Sequence, residues 1–169
     1  MPLWRDGRFA DDQWTTLDDS APIPERGAII VSFARWRAEA AALAPRADPV
    51  GVAIVAGKDA VEQLAEAAHR PLIALKFDKF ADGRAFSYAE LLRERLGFTD
   101  ELRATGDVLL DEIGLMQRCG FTSFEVTDAN TLRALKEGRL PKGALFYQPA
   151  PGQREAPAGT RPWLRRTAS

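Results

Sequence analysis

Residues 71–98 read "PLIALKFDKFADGRAFSYAELLRERLGF", and this stretch holds the fold in miniature. "PLIALKF" is an apolar run of strand length, and strands covered on both faces need not alternate. "SYAELLRERLGF" follows a different period. Leu91, Leu92 and Leu96 supply one apolar side, Ser87 and Glu90 stand at capping-box spacing, and Gly97 is placed to end a helix. Between the two lies a loop dense in charge. Strand, charged loop and helix in that order are the first half of a parallel strand–helix–strand unit.

The same rhythm extends in both directions. Upstream come "AIIVSF", "ARWRAEAAALA", "PVGVAIVAG" and "KDAVEQLAEAAH", the last with Asp59 and Glu62 again at capping-box spacing. Downstream come "ELRATG", "DVLLDEIGLMQRCG", "SFEV" and "DANTLRALKEG". In the second of these, Leu109, Leu110, Ile113 and Met116 share a helical face and Gly120 closes it. The spacing predicts an α/β fold, a mainly parallel sheet built from successive strand–helix units. An open sheet is the first expectation and a partial (β/α) barrel the alternative. Residues 1–17 read as an N-terminal hairpin turning at Asp6-Gly7. Residues 18–27, "DDSAPIPERG", read as a linker, because prolines and charges oppose regular pairing. Residues 1–148 are thus expected to form a single α/β domain. Residues 149–169, rich in Pro, Gly and Arg, are expected to be a disordered tail, with Trp163 and Leu164 as candidates to dock on a partner.

Composition narrows the functional classes. A formal charge of −1 gives no whole-molecule field for nucleic acid or an anionic membrane. The apolar runs are too short to span a bilayer, and "MPLWRDGRFADD" lacks the basic-then-apolar order of a signal peptide, so the expected location is the cytoplasm. One cysteine and one histidine leave no self-contained iron–sulfur, haem or zinc site to expect, and the cofactor is left unknown.

A ligand on a parallel sheet sits at the carboxyl edge of the strands, where the strand-to-helix loops gather. In "KFDKFADGRAFS", Gly83 is expected to shape a turn that presents Arg84 beside Ser87 and a helix N-terminus, with Lys76 and Lys79 adding positive charge. Asp78 and Asp82 orient or neutralise those cations, and Asp82 is one candidate acid–base group. The other is Asp107 in "RATGDVL", which alternatively caps a helix. Thr105, Gly106 and Arg103 complete the candidate ligand-binding set, and a charge within a strand, as at Arg103, calls for an edge, an acidic partner or a ligand. Solvated ion pairs and ordinary caps account for the same residues without a ligand. Cys119 reads as a buried small hydrophobe and His69 as a helix-closing residue.

The string from Leu72 to Val126, with "KF-DGRA-S-A-LLRERLG" and "LRATGDVL-D" inside it, resembles the core of a bacterial domain-of-unknown-function family encoded beside assimilatory sulfite reductase. Its members are often labelled probable oxidoreductases involved in sulfite reduction. The resemblance implies a role in making sulfide for cysteine biosynthesis, with the sulfite reductase haemoprotein as partner. Two activities follow from it: an accessory role supporting that haemoprotein or its electron delivery, or a small enzyme acting on an anionic sulfur or phosphate compound. "VAGKDA" has one glycine where a dinucleotide fingerprint has three, so electrons passing through this chain would ride on a flavin or on a partner's cofactor.

Overall fold

A computed structural model describes residues 1–77 and 83–139. The strands are β1 (Leu3–Arg5), β2 (Arg8–Ala10), β3 (Trp14–Thr16), β4 (Ala28–Ser32), β5 (Val50–Val55), β6 (Leu72–Phe77), β7 (Glu101–Gly106) and β8 (Ser123–Glu125). The helices are α1 (Phe33–Ala38), α2 (Ala40–Leu43), α3 (Ala60–Ala67), α4 (Arg84–Glu94), α5 (Leu110–Cys119) and α6 (Ala129–Lys136). All eight strands form one sheet in the order β2-β1-β8-β7-β6-β5-β4-β3. From β3 to β8 each strand lies parallel to its sequence neighbour.

That unbroken order decides between the two expected architectures. A doubly wound sheet reverses direction at a switch point, whereas strands added always on one side send every right-handed crossover to the same face. The sheet is accordingly a curled half-barrel with its helices outside. The main core lies between sheet and helices: Val52, Ile54, Ile73, Leu75, Leu102 and Phe124 meet buried residues of α3, α4 and α5 such as Leu64, Leu92 and Ile113. The opposite, concave face has less room, and its residues shrink to fit. Gly51, Ala53 and Ala74 stand in its middle, and a Cβ on Gly51 would lie 3.1 Å from the Leu72 Cβ.

The N-terminal segment does more than the expected hairpin. Asp6 (φ 51) and Gly7 (φ 77) do make the tight turn, and β1 and β2 pair antiparallel. The hairpin ends at Ala10, however. Trp14–Thr16 pairs in parallel with β4, at the far edge of the sheet. Ala10 and Trp14 are four Cα steps apart, at most about 14 Å, whereas eight flat strands at about 4.8 Å spacing would hold the edges more than 30 Å apart. Asp11–Gln13 therefore tether one edge to the other. The curl is fixed by chain length.

The linker is pinned by arginines. Arg35, buried on α1, donates to the carbonyls of Asp18 and Ala21, each at 2.6 Å, and to Glu39. Arg46 donates to the carbonyls of Pro24 and Gly27. The continuous helix expected over "ARWRAEAAALA" breaks at Glu39 into α1 and α2. On the outer layer Arg93 plays a similar role, donating to the carbonyls of Gly120, Phe98 and Asp100 and so tying α4 to the starts of β7 and β8.

Candidate functional site

The carboxyl ends of β6 and β7 share one rim because the two strands are parallel neighbours. Phe77 is paired with Gly106, and the Asp107 N–H donates to the Phe77 carbonyl at 3.1 Å. Gly106 has φ +85, and a Cβ there would sit 2.2 Å from that same carbonyl oxygen, so the approach is open only to glycine. Phe86 on the first turn of α4 stacks edge-on to Phe77, with ring centroids 5.4 Å apart. Tyr88 donates to the Gly57 carbonyl at 2.9 Å, joining the loop after β5 to the same edge.

Lys76 and Thr105 lie directly opposite one another on β6 and β7, on the concave face just below this rim, and Lys76 is exposed. Arg84 is the first residue of α4 and is exposed. Lys79 and Asp82, like Asp78, lie outside the described residues, as do Trp163 and Leu164 of the tail. Ser87 does not cap the helix: α4 begins three residues earlier, with Gly83 at its N-cap. Nor does Gly83 use glycine's freedom, since its φ of −64 suits any residue. Asp107 is not a cap either. The N-cap of α5 is Leu109, and the Leu110 N–H is met by Thr131 Oγ1 from α6 at 3.1 Å.

Arg103 is placed differently from the other candidates. It has no exposed side-chain surface and faces the concave side between Ala74 and Ser123. Its guanidinium makes a two-pronged contact with Asp12, at 2.7 and 2.9 Å, and also donates to Glu101 Oε1. Glu101 in turn accepts from Ser123 Oγ at 2.7 Å and from Arg5 at 3.1 Å. Burial pushes the Asp12 carboxyl up, but hydrogen bonds from Arg103 and the Trp14 N–H and the charge of Arg103 outweigh it, leaving the carboxyl below the usual range. Burial likewise pulls Arg103 down, and its two carboxylate partners carry it back above its ordinary value. Of the three partners the sequence allowed, the structure supplies the acidic one.

Sequence reasoning missed Glu112. In the first turn of α5, its Oε2 is buried with no hydrogen-bond partner among the described residues. Burial, then the charges of Asp111 and Asp107, raise its pKa. An upward shift is the direction that suits a carboxyl to general-acid work. Its signal was present only as three acids in "DVLLDE"; the burial that matters is tertiary. Glu112→Gln should stabilise the protein at neutral pH and change nothing below about pH 4.5, where the parent side chain is protonated in both folded and unfolded chains. Thermal unfolding of both proteins across pH 4–8 checks the crossover.

Cys119 is buried in the core, and burial together with neighbouring Glu90 pushes its thiol to about 11. At pH 8 the native protein should therefore react with a disulfide reagent at least tenfold more slowly than the denatured chain. Equal rates would show a thiolate that the fold does not suppress. His69 is exposed beyond the end of α3, its ring 6.1 Å from that of Trp36. No group of three or more His, Cys, Asp or Glu able to hold a metal ion occurs among the described residues. Nor is any helix among them long and apolar enough to cross a membrane.

The molecule is thus an α/β protein in which the ends of β6 and β7 and the start of α4 bring residues of both charges to one rim of a curled, mainly parallel sheet. The chain belongs to a bacterial family of proteins of unknown function, DUF934, whose model matches residues 51–158. That span includes β5 to β8 and the whole of the rim just described. No curated protein and no solved structure matches the chain.

Proposed function

We propose that this protein serves assimilatory sulfite reduction in the bacterial cytoplasm as an accessory protein, its carboxyl-edge rim meeting the sulfite reductase haemoprotein or the route by which that protein receives electrons. The pathway rests on the resemblance drawn from the "DGRA" and "LRATGDVL" strings. The choice of a binding role rests on Arg103. The most enclosed cation of the candidate set is saturated by Asp12 and Glu101, so a partner would be met by the polar groups that reach the surface at the rim: Lys76, Arg84, Ser87, Thr105 and Asp107. Two are cations, two are neutral hydroxyls and one is a carboxylate, spread over the ends of β6 and β7, the start of α4 and the residue after β7. Such a surface suits electrostatic matching to another protein's surface, which sets orientation and association rate.

Co-expression of the two proteins, pull-down through this one and assay of the reductase test the reading. A complex that is lost when Lys76 and Arg84 are both changed to Glu supports it. Absence of any complex at micromolar concentration, with reductase activity unaltered, overturns it.

One observation favours a second reading, an oxidoreductase or other small enzyme acting on an anionic sulfur or phosphate compound. Glu112, whose pKa is raised by burial and then by the charges of Asp111 and Asp107, stands with Asp107 at the rim, a carboxyl pair on which acid–base chemistry could be built. On this reading Arg84 and Lys76 hold the anion. Arg84→Ala then abolishes sulfite-dependent growth in a strain relying on this gene, with the circular dichroism unchanged; undiminished growth removes the reading.

A further inference from the structure

A cavity of about 480 Å³ opens at the other end of the sheet, between α1 and α2 and the turn that leads into β6. It is within the size range of small-molecule pockets, about 300–1,000 Å³. Trp36, Leu43, Pro49 and Pro71 provide flat, apolar walls. Arg46 and Arg70 provide the polar ones, and each has its Nε buried with no hydrogen-bond partner among the described residues. Arg46 has already committed its Nη groups to the carbonyls of Pro24 and Gly27. The Arg70 side chain lies over the Trp36 ring, its Cζ 5.4 Å from the centroid, and that ring is the side chain's one partner among the described residues. The carboxylate that lines the cavity, Asp48, accepts from the Gly27 N–H at 2.8 Å.

Two cations thus border one cavity against a single acid, and each carries a buried donor with no acceptor among the described residues. A buried N–H without an acceptor is costly, and a guanidinium stacked on an indole is held flat for planar recognition. We propose that this cavity binds a small organic anion with a flat apolar body, its carboxylate, sulfonate or phosphate group accepting from the Arg70 guanidinium within the field of Arg46 and its body resting on Trp36, Leu43 and Pro49. The occupant is anionic because the lining charge is net positive, and apolar in its remainder because the other walls are. The site is independent of the carboxyl-edge rim and of the partner proposed there.

Anilinonaphthalene sulfonate, whose fluorescence rises in apolar surroundings, is a direct probe. Titration of the full chain should saturate with one probe bound. Arg70→Gln should weaken the affinity about tenfold, the loss expected for a charge-assisted contact, and Arg70→Lys should fall between the two. The neutral N-phenylnaphthylamine, which lacks the sulfonate, should bind parent and Arg70→Gln alike. Lys76→Glu, at the rim, should leave sulfonate binding unchanged. Because the Arg70 side chain makes no hydrogen bond to the described residues, its replacement tests the site without unpinning the linker. The proposal is overturned by non-saturable binding, which would mean that water alone fills the cavity, or by equal sulfonate affinity in the parent and Arg70→Gln.

Discussion

Asp12→Ala should lower the free energy of unfolding by about 3–5 kcal/mol, the range seen when one member of a buried ion pair is removed. Asp12 is exposed along its backbone, but its carboxylate meets a guanidinium with no accessible surface. Without it, Arg103 keeps only Glu101, whose two oxygens are shared with Ser123 and Arg5. Removing the charge as well should undo most of the damage. The pair Asp12→Ala with Arg103→Met should be more stable than Asp12→Ala alone, since a well-packed apolar replacement leaves no stranded charge. Urea denaturation of the three proteins decides it, and a double variant weaker than the single one would refute the account. The acid dependence follows from the sign of the shift. Asp12 has a folded-state pKa below its ordinary 3.8, so its contribution is complete above that value and is lost as the pH falls through the lower folded one. The stability gap between parent and Asp12→Ala should therefore be constant from pH 5 to 8 and close on strong acidification.

Gly106→Ala should be nearly as damaging, at about 3–5 kcal/mol, through backbone geometry. A left-handed φ already penalises any side chain, and here the new methyl would meet the Phe77 carbonyl at 2.2 Å. That oxygen accepts from the Asp107 N–H, so the contact cannot relax without parting the ends of β6 and β7. Gly83→Ala is the control. Its φ is −64 and no described residue lies within 4 Å of the added carbon, so it should be neutral or stabilise by roughly 0.4–1 kcal/mol. Equal losses at the two glycines would show that the rim is not braced as described.

What could be read from the sequence follows the range of the forces involved. The strand at 72–77 was legible because an apolar run is a local signal, the more polar strand at 101–106 because it falls between two helical patterns, and the tight turn at Asp6-Gly7 because turn residues are local too. The partial barrel stood only as the alternative, because strand order depends on how crossovers stack and no short window records it. Helix starts erred where a side chain suited to capping was present but unused. Ser87 lies inside α4, and Asp107 precedes α5 by a further turn. Arg103 was correctly marked as needing a partner, yet Asp12 lies 91 residues away. Glu112 escaped for the same reason, its character being made by what covers it.

The three-residue tether has a consequence for how this sequence can be divided. Residues 51–158, the portion shared with the family model, omit Asp12 together with β1 to β4. Expressed alone, that fragment would strand Arg103 beside Glu101 and leave β5 and β8 each with a bare flank of backbone donors and acceptors, the condition that invites edge-to-edge aggregation. The first sixteen residues act as the hoop on a cask: little of the wood, but what keeps the staves in a ring.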